Sequence, residues 1–293
     1  MRYFAQLFSL VIASEISLHP LHAAAPASAP PAAPPAAPMA AYADLADLAD
    51  SAPLVLRAQL RKLVRVDPAR EIGVRPGWGR FYVEAKTSAL LAGDSVIGES
   101  LRYLADLPLD ARGKPQTPTN QPLTKKLVLL FASAVPGRPG IRPGELRLIA
   151  PDAQLLWDTQ SETKLRAILT ELIAPEAPAR ISGVREAINV AGTLAGEGET
   201  QMFLATRDGT AASISVVRRP GAAPVWGVSF SEVAEGGSPP QRETLRWYRL
   251  ACFLPPALPP GVNLSDSPQE RAQAEADYLL VMAGLGSCPR LRR

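Results

Sequence analysis

Alternating apolar and polar positions dominate the first half of the chain. From Leu54 onward the apolar positions recur every second residue, and the same period returns over 81–91 and 101–107. A period of two is typical of a strand that buries one face. A continuous apolar run at 127–131 predicts a central strand, and a short run at 146–148 predicts another. Gly- and Pro-rich segments separate these runs, so we predict five strands without a strong helix between them.

The second half of the chain changes to helical spacing. Residues 159–172 place their apolar side chains on one helical face, after a capping box headed by Thr159. Four alternating segments follow between 184 and 233 and predict antiparallel strands. Further capping signals at Ser238 and Ser267 predict two C-terminal helices. One helix, four strands and two helices is an α+β layout.

These patterns together predict an α+β, β-rich protein with two domains. We expect residues 44–158 to form a small five-stranded barrel that resembles the oligonucleotide/oligosaccharide-binding (OB) barrel, or else an antiparallel sandwich. We expect residues 159–293 to form an α+β domain with an antiparallel sheet and C-terminal helices.

The N-terminal segment has a different character from the rest of the chain. Arg2 precedes an uncharged, mostly apolar run at 3–14, and small residues follow, which is typical of an export leader. We therefore predict that residues 1–27 are a signal peptide and that the mature protein is periplasmic or secreted. Residues 28–43 are rich in Pro and Ala and predict a disordered linker. Translation from Met39 would instead leave a cytoplasmic protein.

Cysteine and histidine content narrows the chemistry. The chain has two cysteines, Cys252 and Cys288, and an even number in an exported protein predicts a disulfide. Its only two histidines, His19 and His22, lie in the predicted leader. The mature protein then lacks imidazole, which excludes histidine-based triads, Cys–His nucleophiles and histidine metal sites. We predict no cofactor and no metal site.

The positive charge of the chain is concentrated at its end. The formal net charge is +3, and Arg290, Arg292 and Arg293 supply three positive charges within the last four residues. The folded body is therefore close to neutral and lacks the basic face that nucleic-acid binding requires. We predict no nucleic-acid partner, no transmembrane segment in the mature chain and a solvated C-terminal tail.

Four residues are candidates for contact with a ligand or partner. Trp78 lies between two glycines in a predicted loop, where an aromatic side chain can stack on a ring or a partner protein, and Arg80 follows it. Trp78 could equally close the end of a barrel. Glu197 and Glu199 lie in a Gly-rich loop, and such a carboxylate pair could bind Ca²⁺ or form a solvated hairpin tip.

Two sequence patterns suggest catalysis without histidine. Ser161 and Lys164 have the spacing of the serine–lysine pair in penicillin-recognising enzymes, but the companion motifs are absent and a helix cap explains the same residues. The glutamates could supply a carboxylate pair for glycoside hydrolysis. This set adds Glu84, Glu232 and Glu235 to the two glutamates of the Gly-rich loop.

A leader, a Pro/Ala tract and an arginine-rich, cysteine-poor body follow one another in this chain. In this respect the chain resembles uncharacterised exported proteins of Gram-negative, high-GC bacteria. The resemblance is compositional and implies no site. The first hypothesis is an exported, non-catalytic binding or envelope-interaction protein whose partner is a protein or an envelope polymer. The alternatives are a histidine-free hydrolase and a secreted inhibitor.

Overall fold

The structure, a computed structural model, describes five stretches of the chain: residues 40–94, 97–116, 122–136, 144–231 and 237–292. The predicted signal peptide and the first twelve residues of the predicted linker lie outside the described residues. So do two of the candidate glutamates, Glu232 and Glu235.

Apart from α1 and β6, the helices and strands follow one another in the order that the sequence patterns predict. The elements are α1 (Tyr42–Ser51), β1 (Leu54–Arg65), β2 (Trp78–Ala92), β3 (Ser100–Pro108), β4 (Leu127–Ala134), β5 (Leu146–Leu148), β6 (Gln154–Leu156), α2 (Thr159–Ile173), β7 (Ile181–Ala191), β8 (Gly198–Thr206), β9 (Ser213–Arg218), β10 (Val225–Ser229), α3 (Leu245–Ala251) and α4 (Pro268–Leu285). The predicted α+β, sheet-rich class is therefore confirmed.

The first sheet has six strands in the order β3-β2-β1-β4-β5, with β6 also paired to β4. Its ladders are antiparallel. The outer strands β3 and β5 meet at one isolated parallel bridge between Arg102 and Glu145, where Arg102 N donates to Gly144 O at 2.9 Å. The described strands do not close into a barrel, so the finer prediction of an OB-like barrel is not confirmed. Strand β6 was not predicted from the sequence.

Alternation along β2 separates a buried face from an open face. Phe81, Val83 and Ala85 are buried, whereas Tyr82 between them is exposed. Strand β4 is buried along its middle on both faces, as its continuous apolar run predicts. The core of this half therefore lies beneath β2 and on both sides of β4, which leaves the open face of β2 available to solvent.

The second sheet is an antiparallel meander in the order β10-β9-β8-β7. Helix α4 packs against β7 and buries Tyr278 and Val281. The predicted capping box at Ser267 is confirmed, but the helix expected after Ser238 begins later, with Thr244 as its N-cap. The described residues all belong to one compact unit, and the division at residues 158/159 remains a prediction.

Helix α1 is buried along most of its length, with Leu45 and Leu48 inside the core. The aspartates of its tandem Ala-Asp-Leu repeat recur every three residues, so they share one side of the helix. The Asp50 carboxylate accepts hydrogen bonds from the guanidinium groups of Arg249 and Arg180. The repeat thus lies within a ten-residue helix.

The C-terminal tail is bound to that acidic side of α1. Leu291 N and Arg292 N donate to the Asp44 carboxylate at 2.9 and 3.2 Å, and Arg290 Nε donates to Asp47 at 2.6 Å. The expectation of a solvated tail was therefore wrong for residues 290–292, because Arg290 and the backbone N–H groups of Leu291 and Arg292 bind carboxylates of α1. We refer to residues 288–292 as the C-terminal strap.

The strap begins at a disulfide. Cys252 follows α3 and Cys288 follows α4, and their sulfur atoms lie 1.95 Å apart with the Cα atoms at 5.3 Å. The two cysteines therefore lie at disulfide distance, as the sequence predicts.

Candidate functional site

A cleft of about 370 Å³ lies where the ends of β2 and β3 meet β6 and the C-terminal strap. We call it the Trp78 cleft. Its lining is apolar at Trp78, Leu107, Pro108, Leu155 and Leu291, and polar at Arg75, Asp106, Asp152, Gln154 and Arg292. A largely apolar pocket with a few convergent polar groups is the usual form of a small-molecule site.

A tight turn places Trp78 at the wall of this cleft. Trp78 N donates to Arg75 O at 3.0 Å, and Gly77 adopts a positive φ of 77° that favours glycine. The turn sets the Arg75 guanidinium over the Trp78 ring, 4.3 Å from the ring centroid. Within the described residues, Trp78 Nε1 has no hydrogen-bond partner. The indole therefore offers the cleft both an apolar surface and a donor.

The Asp152 carboxylate joins the two arginines of the cleft. Arg75 Nη2 donates to one of its oxygens at 2.8 Å, and Arg292 Nη2 donates to the other at 2.8 Å. Burial alone would raise the pKa of the Asp152 carboxyl, but the two guanidinium groups outweigh burial and hold the pKa below its ordinary value. Asp152 is thus ionised at neutral pH and fixes both arginines at the rim.

Gln154 is oriented from behind by a tyrosine. Tyr103 Oη donates to Gln154 Oε1 at 2.6 Å, and burial raises the pKa of Tyr103 above its ordinary value, which keeps the phenol protonated. The amide oxygen of Gln154 is therefore occupied. Its Nε2 makes no hydrogen bond in the part of the chain that the structure describes, so it remains a donor at the cleft.

Arg80, a predicted contact residue, forms an ion pair with a residue of the neighbouring strand. Its Nε and Nη2 donate to the two oxygens of Asp106 at 2.7 and 2.9 Å, and its Nη1 donates to Ile72 O at 3.2 Å. Asp106 is its register partner on β3 and itself lines the cleft. Arg80 therefore orients Asp106 and is not part of the cleft lining.

Glu197 and Glu199 lie at the β7–β8 hairpin of the second sheet, not at the Trp78 cleft. The Glu197 carboxylate accepts from Leu194 N at 3.2 Å and closes its own turn, and the Glu199 carboxylate accepts from the amide of Gln201. Across the described ranges, no three His, Cys, Asp or Glu side chains are arranged to hold a metal ion. The structure thus assigns local hydrogen bonds to both glutamates.

The serine–lysine pair does not assemble. Ser161 Oγ donates to Asp158 at 2.6 Å, whereas Lys164 Nζ pairs with Glu243 at 2.8 Å. The cap of α2 is Asp158, which accepts from Ser161 N, and not the predicted Thr159. The aspartate caps the helix because it lies one residue before the first helical position, where its carboxylate reaches the free backbone donors.

The candidate carboxylates are also spread over both sheets. Glu84 lies on β2 of the first sheet, whereas Glu197 and Glu199 belong to the second. Glu232 and Glu235 fall outside the described residues. No hydrogen bond or ion pair joins Glu84 to Glu197 or Glu199 among the residues described.

A larger cavity of about 440 Å³ lies between the end of α2 and the segment before α3. None of its described lining residues is aromatic, and its Glu171 carboxylate accepts from Leu245 N at 2.7 Å. The side chains of this cavity are therefore less suited to ligand binding than those of the Trp78 cleft, although the cavity is larger.

Comparison with known proteins found no matching family model and no significantly similar curated protein. Among the helices of the described ranges, none combines the length and the apolar character needed to span a membrane. The interpretation of the Trp78 cleft therefore rests on its geometry.

Proposed function

We propose that this protein is an exported, non-catalytic binding protein that holds a ring-bearing polymer of the cell envelope at the Trp78 cleft. The observation that carries the proposal is the Trp78 indole, whose N–H has no hydrogen-bond partner among the described residues, in a largely apolar cleft next to the Gln154 amide. A sugar ring has an apolar face and a hydroxylated edge, and the indole face with two nearby donors matches both.

Charge at the rim favours a polymer with anionic groups. Arg75 and Arg292 carry two positive charges, and the Asp152 carboxylate between them carries one negative charge. Asp106 is balanced by Arg80. The rim therefore keeps an excess of one positive charge, which attracts a carboxylate or phosphate on the polymer.

The open first sheet supports an OB-like arrangement as the finer assignment. Its strand order and the parallel bridge between β3 and β5 bring the outer strands together. OB-type barrels bind oligonucleotides and oligosaccharides on the face of their second and third strands. Trp78 on β2 and Asp106 on β3 occupy the corresponding strands here.

A periplasmic or secreted location fits the leader-like sequence and the cysteine pair at disulfide distance. Export would place the cleft in the compartment where envelope polymers are found.

Binding fits the cleft better than hydrolysis does. A glycosidase needs one carboxyl with a raised pKa as general acid. The two carboxylates of the cleft, Asp106 and Asp152, are both ion-paired, and the pKa of Asp152 is lowered. The Asp152 carboxyl is therefore not set up to donate a proton at neutral pH, and the Asp106 carboxylate is held by Arg80.

Calorimetric titration with acidic oligosaccharides from lipopolysaccharide and peptidoglycan tests the proposal. We expect wild-type protein to bind one of them and Trp78→Ala to bind at least about tenfold more weakly, because an aromatic anchor carries much of the energy of such a site. Tyr82→Ala is the matched control, since Tyr82 is an exposed aromatic of the same strand outside the cleft.

Three results would overturn the proposal. One is equal loss of affinity in both variants, and another is the release of shortened sugars during the titration. The third is binding of a single-stranded oligonucleotide in preference to every saccharide.

A further inference from the structure

We infer that the C-terminal strap is a ligand-contacting wall of the Trp78 cleft and that the Cys252–Cys288 bond holds it there. This inference rests on the proposed function, because it assigns two more contact residues to the same cleft. Leu291 and Arg292 line the cleft although the other lining residues come from 75–155. The cleft is therefore incomplete without the end of the chain.

The backbone of the strap is anchored by a buried carboxylate. Asp44 is only 1% exposed and accepts from Ala41 N at 2.8 Å as well as from Leu291 N and Arg292 N. Hydrogen bonds to an ionised carboxylate are about twice as strong as those between neutral groups. Asp44 thus fixes the main chain of the strap at the residues that reach the cleft, whatever their side chains are.

The side chains of the strap have divided roles. Arg290 is bound to Asp47 and Arg292 to Asp152, so both arginines are held by the protein. Leu291 lies between them with its backbone anchored and its side chain 55% exposed at the cleft. An exposed leucine in a fixed position at the lip of a pocket offers apolar surface that a ligand can cover.

The disulfide gives the strap a fixed origin. Chain termini without such a tie fray readily, and the strap contains no helix or strand. The bond closes a loop with a sequence separation of 36 residues and ties Cys288 to the residue that follows α3. Without it, hydrogen bonds and ion pairs alone would hold the strap against the cleft.

Substitution of two equally exposed leucines distinguishes a ligand contact from a structural role. Leu291→Ala removes the lip of the cleft, and Leu279→Ala removes an equally exposed leucine of α4, since both are 55% exposed. We expect both variants to unfold at the same urea concentration as wild type. Only Leu291→Ala should weaken binding of the acidic oligosaccharide, by about threefold to tenfold. Equal affinities in the two variants would overturn the inference.

Hydroxyl-radical footprinting of the full-length protein tests the same wall without any ligand. In the double variant Cys252→Ser/Cys288→Ser, we expect oxidation of Trp78 to rise at least about twofold while oxidation of Tyr82 stays unchanged. Unchanged labelling of Trp78 would contradict the inference even if wild-type protein bound no saccharide. If loss of the disulfide raises the oxidation of Trp78 as expected but wild-type protein binds no saccharide, the proposed function is wrong while the position of the strap at the cleft is still supported.

Discussion

Two aspartate–arginine clusters of this protein differ in what surrounds them. On the second sheet, Asp277 is 0% exposed and accepts from Arg218 Nε at 2.7 Å and Thr200 Oγ1 at 2.5 Å. At the Trp78 cleft, Asp152 accepts from two guanidinium groups at 2.8 Å at the rim of an open pocket. Both aspartates are ion-paired, Asp277 with one arginine and Asp152 with two, but only Asp277 is enclosed by the protein.

The difference shows how a structural polar cluster is told from a binding one. Around Asp277 the partners are themselves used, since Thr200 Oγ1 accepts from Asn189 Nδ2 at 2.8 Å. The Asp277 carboxylate itself is fully buried and accepts from Thr200, Arg218 and Gln273, so it is closed to a ligand. At the cleft, Trp78 Nε1 and Gln154 Nε2 stay without partners in the described part of the chain. Unused donors beside apolar surface, rather than the ion pair itself, mark the site.

The largest expected effect comes from breaking the closed cluster. Asp277→Asn leaves Arg218 without its ionic partner, and we expect a loss of about 3 kcal/mol or more in the free energy of unfolding measured with urea. Asp266→Asn, an exposed aspartate just before the same helix, should change it by less than about 0.5 kcal/mol. Oligosaccharide affinity should not change while the protein is folded. Wild-type stability in Asp277→Asn would mean that the cluster is not structural.

An intermediate effect is expected from the open cluster in acid. The pKa of Asp152 is lower in the folded protein than its ordinary value of 3.8. Its stabilising contribution is therefore complete above the unfolded-state pKa and is lost as the pH falls through the folded-state pKa. Asp152→Asn should cost about 1 kcal/mol near neutral pH, and the difference from wild type should vanish in strong acid. Urea unfolding of both proteins over this pH range checks it, and a difference that grows with acidity would contradict it.

Local patterns predicted much of the fold. The period of two predicted β1, β2 and β3, and the capping box at Ser267 predicted α4. Both signals depend only on residues that lie close together in the chain. The start of α3 was wrong, since Pro239 after Ser238 is typical of a helix start and here belongs to a loop. The barrel was not confirmed, because closure depends on how distant strands meet.

The site was only partly predictable for the same reason. The sequence suggested Trp78 because it lies between two glycines. It also suggested Arg80, but the guanidinium of Arg80 is bound to Asp106 on the next strand. The place of Leu291 and Arg292 at the cleft was missed. Leu291 is bound to Asp44 across a sequence separation of 247 residues, and no pattern along the chain reports such a contact. Arg75, three residues before Trp78, was the one cleft residue that local spacing could have suggested.

The smallest stability effect should come from Trp78 itself, and this sharpens the contrast between structural and binding groups. Trp247 is 2% exposed and its indole donates to Leu285 O at 2.8 Å, so Trp247→Ala should cost about 3–5 kcal/mol. Trp78 is half-buried at the rim and its indole donates to nothing in the described residues, so Trp78→Ala should cost about 1 kcal/mol or less. Urea unfolding of the two variants measures both values. A cost for Trp78→Ala close to that for Trp247→Ala would assign the indole to the core. A small cost together with the loss of oligosaccharide binding would show that its exposed surface is kept for a ligand.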